Sequence, residues 1–586
     1  AIGTFAALTI LQVIGGVLQG VDFWRDITYW ICSGPHGPIA GLINSGDVLY
    51  YLLMPALFIG MSIMKLQFAR QSKPWYTKVV KYLALVVVIV GIGYATSRRN
   101  TVCITDLSRD EQLTLTPKSR DILERYKGQE LTLTTYVNIM DEHTAARMFP
   151  KSRIGDMSVF SKYYRFKPDM KLKYVYYYDT TANPMLDRRF PNATLREKMV
   201  EVCKIYGLDS NKFMAPEEIR KIIDLSGENN TFVRQIVRDN GEKAWLRIYN
   251  DMQRFPSEKE ISAAFKRMVM DLPKVGFVEG HGERSYSGGK DRDYSAFAND
   301  KGFRYALENQ GFDVAKVTMD QQVPEDINII VISDMREWFT PEQEANLQQY
   351  IDRGGNLFIL GEPKRRDVMN NLFAKFGYEM TTGVLVTRDT NLQADVILSY
   401  PTKEADSIAY DFGAMRSRHM VITTPSTAGL EQIEDKGYTV INMFTTDTIG
   451  VWNELETTDF IDDTVCLNPA IGEVEKIYNT VVALSRKVGN KEQKIILTGD
   501  ADCISNGEFG RRVPTARASN FSLITGGFFW MSDNEVPIDV RRPALPDNKV
   551  YVEKTGSKVI KWSFMIVLPL LLAGIGIFLW IRRKGR

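Results

Sequence analysis

The sequence predicts an α/β body built on a flavodoxin-like, doubly wound parallel sheet and attached to membrane-spanning helices. Two observations predict the sheet: short apolar runs stop in polar turns, and helix-length segments at residues 294–310 and 341–353 separate them. The runs cover residues 274–283, 312–318, 327–333 and 356–362. A third observation predicts the membrane part, since uncharged apolar runs cluster in the first hundred and last thirty residues.

The ends of the helical segments agree with this alternation. Gly311 and Gly354-Gly355 follow them, where a residue in the left-handed region commonly ends a helix. Thr340-Pro341 supplies an N-cap followed by proline at the first helical position. A buried strand at 494–498 is expected to rejoin the sheet, whereas residues 384–490 show no clear periodicity.

Length, charge and cysteine content set outer bounds. The chain has 586 residues, room for three or four domains, and a net charge of +2, which predicts no nucleic-acid partner. Its five cysteines are Cys32, Cys103, Cys203, Cys466 and Cys503. They lie far apart and form no Cys-x-x-Cys pair, so neither a zinc site nor a disulfide scaffold is indicated. One isolated disulfide remains open, and the odd count leaves at least one thiol free.

Four apolar segments predict membrane spans. They cover residues 1–21, 48–64, 79–97 and 562–581. The first begins without methionine or a basic flank, so it is not a signal peptide, and the chain is expected to start inside a larger membrane domain. Lys81 near one end of the third span can reach the interface, and Pro569 in the fourth is tolerable in a helix bundle.

Basic residues in the loops predict the orientation. Four of them lie between residues 65 and 78, and four more follow the last span at 582–586. Both groups are expected in the cytoplasm. The loop at 22–47 has one arginine and three aspartates, so it and the body from about residue 98 to 557 are placed outside. Arg98 and Arg99 argue weakly against this orientation.

Residues 101–272 are predicted to form a first extracytoplasmic α/β domain. Its strands are expected at residues 131–137, 171–178, 232–237 and 243–249. Asp239-Asn240-Gly241 predicts a hairpin between the last two. A helix at 257–271 follows. This order resembles a thioredoxin-like domain, but no cysteine pair accompanies it, so a redox role is not expected.

The full predicted organisation has five parts. Residues 1–73 hold two spans, 74–100 a third span, 101–272 the first extracytoplasmic domain, 273–556 the flavodoxin-like domain, and 557–586 the last span with its basic tail.

Known phosphate-binding motifs do not fit the glycine-rich turns. Gly280-His281-Gly282 matches the first two glycines of a dinucleotide fingerprint, but Ser285 replaces the third and no helix opens there, which favours a structural turn. Gly289-Lys290 is followed by Asp291, and Arg284 stands where a phosphate loop needs its first glycine. The sequence therefore predicts that this chain is not an ATPase.

Hydrolase motifs are not supported either. An amidotransferase-like sheet needs a cysteine at a strand-to-helix elbow, yet none lies between Cys203 and Cys466. Ser333 has Val331 and Met335 where a hydrolase elbow wants glycines.

Polar side chains follow the predicted strands where each one ends. Ligands bind at this edge of open α/β sheets, so these residues form a candidate ligand-binding crevice. The candidates are Glu279, His281, Glu283, Asp334, Asp500 and Asp502, with Ser333 and Glu362 beside them. Strand ends are polar in inert domains too, so a purely structural role stays open. No catalytic residue, metal ligand or cofactor is predicted.

Several segments resemble a known family. Asp106-Leu-Ser-Arg-Asp-Glu-Gln-Leu-Thr-Leu-Thr-Pro, Val275-Gly-Phe-Val-Glu-Gly-His-Gly-Glu, Ile351-Asp-Arg-Gly-Gly-Asn-Leu and Gly499-Asp-Ala-Asp-Cys-Ile-Ser-Asn are similar to the GldG-like auxiliary component of gliding-motility-type ABC transporters. This resemblance spans about residues 98–586. Residues 1–73, with Ser45-Gly-Asp-Val-Leu-Tyr-Tyr before a span, resemble the end of the partner permease.

The resemblance implies a permease and an auxiliary subunit fused in one chain. It implies a separate cytoplasmic ABC ATPase, further membrane subunits, the lipid bilayer as environment, and no catalytic residues in this chain. The expected location is a bacterial inner membrane, with the soluble body in the periplasm. The alternative is a membrane-anchored extracytoplasmic enzyme, or a carbohydrate- or metal-binding module, that uses the crevice.

Overall fold

The computed structural model describes most of the chain in two compact units, residues 1–540 and 541–586. The described residues are 10, 17, 41–72, 74–96, 103–108, 111–142, 149–150, 153–389, 391–457, 459–542 and 552–584. The predicted span at 1–21 lies outside them, apart from residues 10 and 17.

Two long apolar helices open the first unit. Helix α1 (Ser45–Ala69) and helix α2 (Trp75–Thr96) are each long and apolar enough to cross a membrane, and they contain most of the spans predicted at 48–64 and 79–97. Leu57 of α1 packs against Ile89 of α2. Strand β1 (Leu42–Asn44) pairs antiparallel with β2 (Ile104–Asp106), so the start of α1 and the start of the body are held together.

A four-stranded sheet forms the centre of the region from about 111 to 270. Its strands are β3 (Leu131–Asn138), β4 (Lys171–Tyr177), β5 (Val233–Arg238) and β6 (Lys243–Arg247). They stand in the order β4-β3-β5-β6. Strands β3 and β4 are parallel, and β5 runs antiparallel to both β3 and β6. The predicted hairpin is confirmed: Gly241 takes φ 90° and the Asn240 side chain accepts the amide of Glu242.

Helices cover this first sheet. They are α3 (Pro117–Glu124), α4 (Arg153–Val159), α5 (Ser161–Tyr164), α6 (Pro184–Arg189), α7 (Leu195–Tyr206), α8 (Pro216–Ile222) and α9 (Glu258–Arg267). Ser257 caps α9 and bonds reciprocally with Glu260, a capping box. Ile538, from the far end of the unit, is buried in the core that α3 and α9 share with β3. Residues near 540 therefore complete the core of the first sheet.

A second, larger sheet follows. Its strands and the short strands beside it are β7 (Lys274–Val278), β8 (Asp313–Val317), β9 (Ile327–Ser333), β10 (Asn356–Leu360), β11 (Tyr378–Met380), β12 (Val384–Thr387), β13 (Val396–Pro401), β14 (Met420–Pro425), β15 (Leu430–Gln432), β16 (Thr439–Thr445), β17 (Val451–Glu454), β18 (Asn479–Val488), β19 (Lys491–Thr498) and β20 (Arg517–Ala518). Of these, β12 and β17 form a separate two-stranded sheet.

The predicted strands form the parallel part of this sheet. Strands β8, β7, β9, β10 and β19 are adjacent in that order and all parallel, which is the order 2-1-3-4-5 along the chain. The strand predicted at 494–498 thus rejoins the sheet beside β10. Beyond β19 the sheet becomes mixed, because β18 runs antiparallel to β19 and leads into β16, β13, β14 and β20. The whole sheet is therefore mixed rather than purely parallel.

The parallel strands are buried on both faces. Phe277, Val331 and Phe358 point into one core, and Val278, Ile332 and Ile359 point into another, as alternation along a strand requires. Helices pack on both sides. They are α10 (Ser295–Ala298), α11 (Leu307–Gln310), α14 (Tyr410–Ser417) and α15 (Asn520–Met531) on the first face, and α12 (Pro341–Asp352) and α13 (Arg366–Ala374) on the second.

The prediction of one helix at 294–310 is wrong. Only the two ends of this segment are helical, as α10 and α11. Polar side chains hold the middle in a loop. The Asp300 carboxylate accepts the amide of Gly302, and the Asn309 amide donates to the carbonyls of Asp300 and Phe303. Such local hydrogen bonds compete with helical ones.

The predicted helix ends are confirmed. Gly311 (φ 104°) and Gly354 (φ 81°) follow their helices in the left-handed region, and Thr340 caps α12.

The second unit contains one long helical run, Lys554–Lys584. It consists of α16 (Lys554–Trp562), a π-helical turn (Ser563–Val567) and α17 (Leu568–Lys584). The run is long and apolar enough to cross a membrane and contains the span predicted at 562–581. Pro569 lies just after the π-helical turn, where its missing amide frees a carbonyl one turn earlier.

Candidate functional site

The turn after β7 is closed by its own glutamate. The Glu283 carboxylate accepts the amides of Gly280 (2.9 Å) and His281 (2.6 Å), and its side chain is fully buried. Gly280 and Gly282 have φ of 147° and 82°. A Cβ on Gly282 would also lie 2.7 Å from Cδ of Arg336, so glycine is required there. The glycines of this motif therefore serve a tight turn.

His281 is held by neighbours on both sides of its ring. Its Nδ1 lies 3.3 Å from Oε1 of Glu283 and its Nε2 lies 3.0 Å from Oε1 of Gln343, the N3 residue of α12. The ring packs edge-on against Phe339, with centroids 4.7 Å apart. His281 thus joins the β7 turn to the start of α12.

Glu279 lies at the edge of the sheet, apart from this turn. Its carboxylate is 3.1 Å from Nζ of Lys316 on β8 and accepts a hydrogen bond from the Ser285 hydroxyl at 3.3 Å. Its side chain is 20 % exposed. Glu279 therefore links β7 to β8.

The remaining candidates gather around a buried arginine. The guanidinium of Arg284 lies 3.2 Å from Asp334, 3.3 Å from Glu362 and 2.5 Å from Asp502. These carboxylates follow β9, β10 and β19, whose carboxyl ends meet at one edge because the strands are parallel. Arg284 also donates to the carbonyl of Ala501 at 2.9 Å.

Arg292 covers the same carboxylates from the solvent side. It lies 2.5 Å from Glu362, 3.2 Å from Asp502 and 3.5 Å from Asp334, and its side chain is 54 % exposed. Both arginines approach the same oxygen of each carboxylate: Oδ2 of Asp334, Oε2 of Glu362 and Oδ1 of Asp502. We call these five residues the Arg284 cluster.

Asp500 is buried beside the cluster. Its Oδ1 accepts the amide of Asp502 at 2.6 Å, whereas its Oδ2 has no hydrogen-bond partner among the described residues. Burial, followed by the charge of Asp502, raises the pKa of Asp500 well above its ordinary value. Asp500 therefore keeps its proton to higher pH than an exposed aspartate does.

Burial also shifts the other ionisable groups. It raises the pKa of Glu362, and the nearby charge of Asp334 adds to this, so that together they outweigh the two arginines. Burial alone would lower the pKa of Arg284, but the surrounding anionic groups raise it overall, so this side chain stays charged. The cluster thus holds two permanent positive charges among three carboxylates, one of which is easier to protonate than usual.

The structure brings together only part of the predicted crevice. Asp334, Asp500, Asp502 and Glu362 meet, whereas no hydrogen bond or ion pair between described residues joins Glu279, His281 or Glu283 to them. Ser333 is the last residue of β9, directly precedes Asp334 in the chain, and is buried. The sequence analysis missed Arg284 and Arg292. Arg284 directly follows the glycine-rich motif, and a search for cations near the predicted carboxylates would have found it.

The mutual pairing limits what the cluster can do chemically. Within the described residues, no group of three His, Cys, Asp or Glu side chains is arranged to hold a metal ion. The described cysteines, Cys103, Cys203, Cys466 and Cys503, are all free thiols, and burial raises the pKa of Cys503 well above its ordinary value. The cluster joins the carboxyl ends of the strands by charge-assisted hydrogen bonds.

The family comparison gives a match within the second sheet. Residues 272–433 match the family model described as an ABC-type uncharacterized transport system. The matched stretch begins just before β7, includes the β7 turn and Arg284, and ends after β15. This match supports an auxiliary component of an ABC transporter and hence a transport-related role. No curated protein matches the chain.

Solved structures give weak likenesses. The mmIFT52 N-terminal domain is 14% identical with a TM-score of 0.30, covering 45% of this chain and 98% of its own. A ThuA-like protein from Parabacteroides merdae is 10% identical with a TM-score of 0.27, covering 47% and 94%. The cytoplasmic protein STM3548 from Salmonella typhimurium is 12% identical with a TM-score of 0.23, covering 39% and 87%. Scores this low allow no functional conclusion.

Proposed function

We propose that this chain is a non-enzymatic membrane subunit of an ABC transport system, in which the end of a permease is fused to a GldG-like auxiliary component. The observation that carries the proposal is the family match at 272–433, in a chain whose described residues also include three helices long and apolar enough to cross a membrane. The membrane helices would embed the subunit in a bacterial inner membrane, and a separate cytoplasmic ATPase would supply the energy.

The strand orders support the finer fold assignments in this proposal. The parallel order 2-1-3-4-5 is that of flavodoxin-like sheets. The first sheet places its strands in the order 2-1-3-4, with the last two forming an antiparallel hairpin, which supports a thioredoxin-like domain.

The pairing of β1 with β2 supports a periplasmic body. This strand pair holds the residues before α1 and those after α2 together. The short connection between the two helices, near Arg70, therefore lies at the opposite end of the helix pair. Lys65, Arg70 and Lys78 cluster around that connection. Basic residues of short loops favour the cytoplasmic side, so the body belongs on the other side.

Cysteine labelling tests this orientation. In a variant whose native cysteines are replaced by serine, an impermeant thiol reagent applied to intact cells should label Lys290→Cys, which lies on an exposed part of the body. Ser72→Cys, in the connection between α1 and α2, serves as the matched control and should react only after permeabilisation. Labelling of position 290 from the cytoplasmic side alone would overturn the orientation.

Co-purification tests the proposed partnership. The full-length chain, extracted from its native membrane, should bring down an ATPase with a phosphate loop in a fixed ratio. The soluble body alone, residues 103–542, is the matched control and should bring down none, because it lacks the membrane helices. Repeated recovery of the full-length chain without such an ATPase would contradict the proposal.

The pairing within the Arg284 cluster supports a non-enzymatic role, because its carboxylates are engaged by arginines.

The alternative is an enzyme or a binding module that uses the crevice. Such a module should work when cut from its spans, and a ligand should raise the melting temperature of the soluble body. We expect calcium, magnesium, zinc and simple sugars to leave that temperature unchanged. A shift that is lost in the Asp500→Ala, Asp502→Ala double variant would revive the alternative.

A further inference from the structure

The last helical run is longer than a bilayer core requires. Lys554–Lys584 has 31 residues, or roughly 46 Å of helix, whereas the hydrocarbon core is about 30 Å thick. Lys561 and Arg582 lie about 31 Å apart along the axis, so they would sit at the two interfaces. Residues 554–560 then extend beyond the hydrocarbon, at the depth of the lipid headgroups.

The extending turns are amphipathic and basic. Lys554, Lys558 and Lys561 are spaced by four and three residues, which places them on one face, while Val559 and Ile560 lie on the other side. All three lysines are exposed, and none has an ion-pair partner among the described residues. This face is therefore an unpaired positive stripe that continues directly into the span.

The position of these lysines makes an anionic partner favourable. A positive charge in the first turn of a helix opposes its dipole, so Lys554 destabilises the helix start when nothing balances its charge. A phosphate there would interact with the lysines and with the positive end of the helix dipole together. Glu553, just before the helix, balances only one of the three charges.

The positive-inside rule does not account for these three lysines. In the proposed orientation these turns lie on the periplasmic side, where the positive-inside rule favours few basic residues. Trp562 follows them, a residue type that is enriched at the membrane interface. The continuity with the span fixes the lysines at headgroup depth, which favours lipid over an acidic protein as the partner.

We propose that Lys554, Lys558 and Lys561 form a binding face for the headgroup phosphates of anionic lipids in the periplasmic leaflet. This inference rests on the proposed membrane function. The face would anchor the helix start and fix the depth of the last span, since lysines close to an anionic surface are attracted to it.

Lipid retention by the full-length chain tests the proposal. The protein is reconstituted in nanodiscs of equal parts phosphatidylcholine and phosphatidylglycerol, released in mild detergent, and the bound lipids are counted by native mass spectrometry. Wild type should retain phosphatidylglycerol preferentially. This preference should fall at least about fivefold in the triple variant Lys554→Gln, Lys558→Gln, Lys561→Gln. It should fall by a similar factor for wild type in high salt.

Two further variants sharpen the test. Replacing the same three lysines by arginine keeps the charge and should keep the preference. Replacing Lys118, Lys212 and Lys221, exposed lysines of the body, by glutamine removes the same charge elsewhere and should leave lipid retention unchanged. Equal retention by wild type and by the triple variant at 554, 558 and 561, or no preference in wild type, would overturn the proposal. Failure of the chain to enter nanodiscs would instead contradict the proposed membrane function.

Discussion

Two buried arginines show how differently the two sheets use charge. Arg234 of β5 and Asp156 of α4 form a buried ion pair, with side chains 3 % and 1 % exposed. Two nitrogens of the guanidinium bond both carboxylate oxygens at 2.8 and 2.6 Å, and it lies over the rings of Phe160 and Phe232. Arg284, at the strand ends of the second sheet, instead faces three carboxylates and shares them with a second arginine.

The difference separates an interior pair from an edge network. Arg234 is neutralised within the core, where the Tyr174 hydroxyl also donates to Asp156 and Arg234 also donates to Thr135, so the pair holds α4 to β5. Solvent reaches the Arg284 cluster at Arg292, which is 54 % exposed. The cluster has more carboxylates than arginines, and Asp500, whose pKa is raised by burial, lies beside it. The charge of the cluster can therefore change with pH or with the position of Arg292. The predictions below test this contrast, from the largest effect to the smallest.

The largest effect is expected from Arg234→Met. The substitution leaves the Asp156 carboxylate buried without its guanidinium, which should lower the free energy of unfolding by about 4 kcal/mol. Denaturant unfolding of the soluble body measures this loss. Lys204→Met is the control, because the Lys204–Glu201 pair is exposed and should contribute less than about 1 kcal/mol. Equal losses in both variants would show that burial does not distinguish the pairs.

Arg284→Met should have a smaller but still large effect, about 2–3 kcal/mol in the free energy of unfolding. The loss is smaller than at Arg234 because Arg292 remains on the same carboxylates and Asp502 is 23 % exposed. The same denaturation experiment measures it. The cluster would not be a stabilising network if Arg284→Met unfolded at the same denaturant concentration as wild type.

Asp500→Asn should change how stability depends on pH. The raised pKa of Asp500 means that the folded state holds its proton more tightly than the unfolded state, so its stabilising contribution is complete below about pH 4 and is lost as pH rises. Asparagine keeps the acceptor for the Asp502 amide without ionising. At pH 4 the two proteins should differ by only about 0.5 kcal/mol.

The gap between Asp500→Asn and wild type should then widen as pH rises, with the variant the more stable. Melting curves between pH 4 and pH 9 measure it. Glu362 has a raised pKa for the same reason, so some pH dependence of the same sign should remain in the variant. Parallel pH profiles for the two proteins would mean that Asp500 does not change its charge in this range.

The smallest effect on stability is expected from Arg292→Ala. Because this side chain is half exposed, solvent screens its ion pairs, and the loss should be within about 1 kcal/mol and should shrink in high salt. Arg292→Lys should recover part of it. A loss as large as that of Arg284→Met would show that the outer arginine, rather than the buried one, holds the cluster together.

The sequence was most informative where burial is continuous. The runs around Val275, Ile330 and Phe358 are buried on both faces, which gives parallel strands a nearly unbroken apolar signature, and all of them lie in the predicted sheet. The 294–310 segment misled because its length between two strands suits a helix, while Asp300 and Asn309 bond to the loop backbone. Side-chain capping of this kind depends on the final positions of the residues.

The candidate site was also predictable only in part, because its pairings depend on the final positions of the residues. The carboxylates at the strand ends follow from the parallel sheet, so Asp334, Asp500 and Asp502 could be placed together. Arg284 also follows one of these strands and could have been placed at the same edge, but its pairing with Asp502, 218 residues away, depends on the final strand order. The antiparallel half of the sheet was missed although β13, β14 and β16 are as long as the predicted strands; β16 is exposed along part of its length and carries register shifts near Phe444.

ATP hydrolysis tests the central claim most directly. The full-length chain, in nanodiscs, is assayed alone and together with the ATPase recovered with it. The account predicts no hydrolysis by the chain alone, since it has no phosphate loop, and hydrolysis by the complex at a rate that follows the amount of ATPase. Hydrolysis by the purified chain alone, at a rate unaffected by the partner, would contradict its role as a non-enzymatic subunit of a transport system.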